Sequence, residues 1–303
     1  MPDATSAREA KPYAPLAADI GALAACSLIW GTTWRAIKLQ LGVTPPLDSV
    51  VYRFALASAL LFAWCILGRR SLALTRRQHL EVLAQGVSVF AAQYALVYLA
   101  EETVPSGSMA VMFASIPFVN IVMFRLLLAR RAPALAWTAT LLGLAGVAAM
   151  SLAQSAGGAV GRGVVYALIG VVMAAAGNLF AFRAQSAGVA TAPGTAWAMA
   201  YGAAALALYQ LATGAPWRFE PDLRYAGSLV YLAVFGSVIA FLAYYGLARR
   251  RGYTFASYIA ALTPPTAMII SALTESAHWG LAAAAGLALV LAGQVLLIRA
   301  ART

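Results

Sequence analysis

A chain of 303 residues that is 62% hydrophobic and only 10% charged is not an ordinary soluble domain, which carries roughly 25% charged residues. Its formal net charge of +11 does not point to nucleic acid, because the basic residues punctuate apolar runs and do not gather on one face. Runs of about 20 apolar residues are long enough to cross a bilayer, so the chain reads as an all-α membrane protein whose solvent is lipid.

Ten such runs follow in order, over residues 16–35, 49–67, 80–99, 104–124, 134–153, 163–182, 194–212, 226–247, 254–273 and 278–298. The first has no short apolar core followed by a cleavage site, so it is a retained span and not a signal peptide. The connections are short and leave no room for a sizeable soluble domain. With the amino terminus inside, the inner segments hold fifteen Lys and Arg residues, among them Arg69, Arg70, Arg130, Arg131 and Arg249 to Arg251, and the outer segments hold five. That asymmetry places both termini in the cytoplasm.

The fourth run, from Ser106 to Leu126, contains Pro117, and the ninth, from Thr254 to Leu273, contains Pro264 and Pro265. A proline inside a helix frees a carbonyl and bends the axis. The offset is 264 − 117 = 147, and Leu144-Ala145-Gly146 returns as Leu291-Ala292-Gly293 at the same offset. The chain therefore divides into a first repeat, 1–153, a linker, 154–162, and a second repeat, 163–303. Five spans per repeat force opposite orientations. The end charges agree: Glu101 and Glu102 follow the third span, and Arg249 to Arg251 follow its partner, the eighth. Broken helices at matching places in inverted halves point to a transporter's binding site around a central cavity.

Leu28-Ile29-Trp30-Gly31-Thr32 in the first span resembles the Trp-Gly signature of EamA-type drug/metabolite transporters. Tyr52-Arg53-Phe54 resembles the Arg-Phe start of that family's second span, and Pro117 and Pro264 resemble its fourth- and ninth-span prolines. The resemblance covers nearly the whole chain and is nearest to aromatic amino-acid exporters of the YddG type. It implies ten helices in two inverted repeats and export of small metabolites across a bacterial inner membrane. Many members carry a glutamate after the fourth span, about where Arg130 stands here. Glu275 lies near the matching place in the second half but out of register, so no role is carried over to it.

Chemistry finds little to work with, which argues against an enzyme such as a membrane-embedded lipid-modifying one. His79 and His278 lie near opposite faces, and no Cys, His or acidic cluster has metal-ligand spacing; neither a metal nor a cofactor is expected. Cys26 and Cys65 read as small buried residues. Carboxylates such as Asp19, Glu81, Glu101 and Glu275 are peripheral; Asp19 and Glu81 sit at span ends, where they read as interfacial charges, with coupling through such a group as the alternative. Proton relays use acidic groups within the membrane, so facilitated or weakly coupled movement is expected. Arg53 reads as a structural residue that snorkels to the outer interface.

The candidate substrate-binding residues are Trp30, Phe90, Gln93, Tyr94, Met109, Phe113, Asn178, Tyr244, Ser257 and Pro264. Gly86, Phe90, Gln93 and Val97 share one face of the third span at helical steps, and Met109, Phe113, Ile116 and Asn120 do so in the fourth. The bland alternative is ordinary packing. For Gln93, Asn120, Asn178, Ser257 and Thr263 it is bonding from helix to helix. The functional reading is a neutral cavity whose amides and hydroxyls hold a zwitterion, with aromatic and thioether walls suited to an aromatic amino acid. A cationic-drug exporter of the same fold would want a buried carboxylate, and the spans show none. A passive channel fits the broken helices less well. The oligomeric state is left open.

Overall fold

The structure, a computed structural model, describes residues 16–42, 44–154, 158–256, 259–275 and 280–300. Among them ten helical rods succeed one another. They are α1 Leu16–Lys38, α2 Pro46–Leu67, α3 Arg76–Glu101, α4 Ser106–Leu128, α5 Ala134–Gln154, α6 Gly158–Ser186, α7 Thr191–Thr213, α8 Leu223–Arg251, α9 Ile259–Thr274 and α10 Leu281–Ala300. A one-turn helix, Tyr253–Ala256, precedes α9. Each rod overlaps one predicted run, and six of them (α2 to α6 and α8) are long and apolar enough to cross a membrane. In hydrocarbon every backbone N–H and C=O must be bonded within the segment, which leaves helix as the form these runs can take. Leu28, Ile66, Leu126, Leu141, Leu208 and Ile269 face outward, while Ser49, Asp48, Arg53 and Gln294 are turned inward and buried.

Local signals set the ends. Thr75 and Gln78 form a reciprocal cap at the start of α3, satisfying two orphan donors. Gly214, at φ +66°, takes the left-handed turn that stops α7, and Gly252, at φ +87°, a conformation that favours glycine, ends α8. The predicted linker 154–162 is shorter in the structure, because α6 starts at Gly158 and makes Gly158–Arg162 helical.

Three irregularities interrupt the rods. α3 passes through a π-helical segment at Gly86–Gln93, and α8 through another at Leu232–Ile239; 232 − 86 and 239 − 93 both equal 146. α4 breaks at Ala114 and Ser115, between the helices Ser106–Phe113 and Ile116–Leu128. Pro117 was expected to bend the span at its own position. It lies instead in the first turn of the second half, where its missing N–H costs nothing. In α9, Pro264 and Pro265 are inside a helix that continues through them.

The helices pack in pairs that match under the same offset. α3 lies on α6 and α7, and α8 lies on α1 and α2. α9 lies on α1, and the second half of α4 lies on α6. α5 and α10 pack on each other along their lengths. There the backbones nearly touch, since a Cβ on Gly146 would stand 2.6 Å from the Gly286 carbonyl oxygen and one on Gly286 would stand 2.8 Å from that of Gly146.

Candidate functional site

The π segments decide what faces the middle of the protein. Each wide turn shifts the helical register and loosens the normal carbonyl pairing. In α8 the Gly236 carbonyl oxygen accepts the Trp30 indole N–H at 3.2 Å and the Arg53 guanidinium at 3.4 Å. Arg53 was expected to snorkel; it is instead fully buried. Its Nε donates to the Ser237 hydroxyl at 2.9 Å, and its charge lies 4.5 Å from the centre of the Tyr94 ring. The short distance to the lipid–water boundary along the span did not matter, because α2 turns this face toward α8 and not toward lipid.

A cavity of about 120 Å³ opens on the other side of Tyr94. α1 lines it with Trp30, Thr33, Trp34 and Ile37, and α3 with Val89, Gln93, Tyr94 and Val97. Phe113, Ala114, Ile116 and Pro117 come from the break of α4, Asn178 from α6, Phe241, Tyr244 and Tyr245 from α8, and Thr263 from α9. Among the described residues no charged side chain lines it. Its aromatic wall is continuous, with ring centres of Trp30 at 5.3 Å from Phe241 and 5.5 Å from Tyr244, and Trp34 at 5.3 Å from Phe113.

Two polar groups in this wall lack a protein partner. The Trp34 Nε1–H is buried without an acceptor, and the Gln93 amide makes no hydrogen bond to a described residue. The hydroxyls of Thr33 and Thr263 are spent on their own helices, bonding the carbonyls of Trp30 and Ile259. Asn178 donates to Asn120 Oδ1 at 3.3 Å, a bond between α6 and α4.

Of the ten residues named from sequence, six stand in the cavity wall: Trp30, Gln93, Tyr94, Phe113, Asn178 and Tyr244. Phe90 does not, since it is fully buried with its ring 5.0 Å from those of Phe54 and Phe241. It belongs to the π segment, where steps of 3.6 residues no longer describe one face. Met109 is fully buried in the upstream half of α4 and does not line the cavity, whereas Ala110 and Phe113 of the same half do. Pro264 is buried off the cavity, while Thr263 before it lines the wall. Ser257 lies outside the described residues. Trp34 also stands in the wall and was not among the ten; its four-residue spacing from Trp30 was the signal that both share a face.

The cavity meets a second, larger space at Pro117, of about 470 Å³. That space is bordered by Asn120, Phe124, Arg130, Arg131, Phe182, Gln185 and Arg249. It is the way toward the arginine-rich end. The same end carries the buried carboxylate of Asp19, paired with Arg250 at 2.9 Å and Arg251 at 2.7 Å, and Glu81 paired with Arg183 at 2.7 Å. At the opposite end the helices close, with Gln40, Tyr98 and Glu101 fully buried and the Tyr98 hydroxyl bonded to Gln40 Oε1 at 2.9 Å.

Comparison with known proteins gives a consistent picture. The EamA-like transporter family matches the chain twice, at residues 17–152 and 161–299. The inner membrane transporter YedA of Escherichia coli K12 is 30% identical over 253 residues, which is 82% of this chain and 80% of that protein. The protein PagO of Salmonella typhimurium is 29% identical over 96 residues, 32% of each chain. One solved crystal structure, 19% identical, superposes with a TM-score of 0.70 over 94% of this chain and 98% of its own, which is a likeness of fold.

Proposed function

Because this chain belongs to the EamA-like transporter family, we propose that it is an inner-membrane exporter of amino acids, aromatic ones foremost, and of similar small metabolites. The observation that carries this reading is the uncharged aromatic cavity with a free indole N–H at Trp34 and a free amide at Gln93. Trp34 donates to a carboxylate, the Gln93 carbonyl accepts from an ammonium, and the rings of Trp30, Phe113 and Tyr244 pack on an apolar or aromatic side chain. A zwitterion is bound by such dipoles without a fixed counter-charge, and released as readily. The name of YedA supports the placement in the inner membrane.

The mechanism is alternating access between two inverted five-helix repeats. It is supported by the double family match, by π segments 146 residues apart, and by helix contacts that exchange under the same offset. Both termini lie in the cytoplasm, on the arginine-rich side, and the space at Pro117 is then the cytoplasmic entrance. Among the described residues no carboxylate lines the cavity, which supports facilitative or weakly coupled movement of the substrate.

The test is uptake of radiolabelled tryptophan, phenylalanine and threonine, and of methyl viologen, into proteoliposomes with and without a pH gradient. Saturable movement of tryptophan without a gradient is the expected result. Movement of methyl viologen alone would replace the amino-acid reading with a cationic-drug one.

A further inference from the structure

The space that meets the cavity at Pro117 has a chemistry of its own. Arg130 and Arg131 border it from the connection between α4 and α5, and Arg249 borders it from the end of α8. That connection is pinned, with Ala129 turning at φ +52° and the Arg130 N–H donating to the Phe124 carbonyl at 3.3 Å. The Arg130 guanidinium lies 4.3 Å from the centre of the Phe182 ring, a contact that positions the charge without neutralising it. Arg249 donates to the Val189 carbonyl at 3.5 Å. Among the described residues none of the three arginines has a carboxylate within 4 Å, and no carboxylate borders the space. The acids at this end are already paired, Asp19 with Arg250 and Arg251, and Glu81 with Arg183. Asp3 and Glu9 lie outside the described residues. A further donor stands one turn from Pro117. Asn120, only 6% exposed, borders the space, and its Nδ2 is buried without an acceptor. Three rings complete the wall, Phe124 at 5.5 Å from Phe182 and at 6.0 Å from Tyr253.

An excess of arginines at this end is what topology demands. Topology does not demand three of them on one space that no described acid enters, beside an unpartnered amide and a cluster of rings. We propose that this space is a binding station for a carboxylate carrying an apolar or aromatic group, which the transported molecule occupies before it passes Pro117 into the neutral cavity. The guanidinium groups draw and hold the carboxylate. The Asn120 amide receives it at the inner edge, and Phe124, Phe182 and Tyr253 pack on the apolar group. A net anion binds best there, a zwitterion less well, and a cation is repelled. The station supplies a charge filter that the uncharged cavity does not. The inference deepens the transporter reading and rests on it for the passage inward, while the binding itself rests on the walls of this space.

The experiment reads binding and needs no transport. Ala132, half-buried on the rim of the space, is replaced in Ala132→Cys, and the full chain is placed in nanodiscs of phosphatidylcholine. Its reaction with uncharged N-ethylmaleimide is followed, less that of the parent chain with Cys26 and Cys65. Four probes share or lack the two features of the ligand: N-acetyltryptophan, tryptophan, tryptophanamide and acetate. N-acetyltryptophan slows the reaction saturably, tryptophan needs a higher concentration, tryptophanamide gives no protection, and acetate needs at least on the order of tenfold more than N-acetyltryptophan because it leaves the rings unused. Arg130→Gln and Arg249→Gln, each read against its own unprotected rate, raise the half-protecting concentration on the order of fivefold. Both side chains are exposed, so the fold survives their replacement. Salt raised from about 0.05 M to about 0.5 M weakens protection in the same direction without any arginine variant. Equal protection by tryptophanamide, or protection that survives both arginine variants unchanged, overturns the station. An anionic lipid headgroup offers the same oxygens, so the discs are also made with phosphatidylglycerol; if that lipid protects the thiol and the soluble carboxylates do not, the occupant is lipid and the proposal falls. Tryptophan uptake is a separate readout. Its failure with protection intact removes the amino-acid cargo and keeps the station, and lost protection with uptake intact does the reverse.

Discussion

Single atoms separate what holds the cavity from what uses it. The Trp30 indole N–H is committed to the Gly236 carbonyl, whereas that of Trp34 is free. Trp34→Phe keeps a ring against Phe113 and removes only the donor. It is expected to raise KM for tryptophan by roughly five- to tenfold, the equivalent of about 1 kcal/mol, with the melting temperature unchanged. Uptake kinetics beside a thermal melt in detergent check this. Arg53 is the converse case. Its bonds to Ser237 and Gly236 and its place over the Tyr94 ring hold α2 to α8 behind the cavity wall. Lysine keeps the charge and loses the planar fork, so Arg53→Lys should destabilise the protein by about 2–3 kcal/mol. A melt unchanged within error would show that those bonds contribute little. The sequence exposed the buried amides and the Trp30 step, because a polar side chain in an apolar run is conspicuous. It did not expose Arg53's burial, since a position one turn inside a span says nothing about which neighbour covers it.

At the scale of helices, the apolar runs were legible because each must satisfy its own backbone in lipid, and α1 to α10 lie over the predicted spans. Register within them was not legible. The Gly86–Gln93 π segment moves Phe90 into packing with Phe54, and the break at Ala114 and Ser115 precedes the proline that suggested it. Glycines carry the α5–α10 crossing. Leucine at Gly146 places side-chain atoms where the Gly286 carbonyl stands. Gly146→Leu should therefore lower stability by on the order of 3 kcal/mol or more, at the high end of overpacking costs. Gly21→Ala, in α1 with nothing within 4 Å of the added methyl, should leave it equal or higher by up to about 1 kcal/mol. Parallel melts of both variants in one detergent decide this, and equal losses would mean that the crossing is not close-packed.

For the whole molecule, the 147-residue offset was visible in the prolines and in the Leu-Ala-Gly repeats, and the π segments are spaced by one residue less, 146. What the sequence concealed is that groups at span ends meet across the bundle. Asp19 reaches Arg250 and Arg251, and Glu101 and Glu275 share Ser106. Such pairs join residues 169 to 232 positions apart, and each member alone looks like an interfacial charge. One end is therefore tied by ion pairs beside an open space, and the other is sealed by buried polar groups, as expected of one state in an alternating cycle. The measurement that tests this account most directly is modification of Ala174→Cys, a small buried position in the cavity wall of α6. A thiol reagent should reach it from the arginine-rich side, and saturating tryptophan should slow the reaction at least tenfold, because the substrate fills the same space. Unchanged modification in the presence of transported tryptophan would contradict the assignment of this cavity as the substrate site.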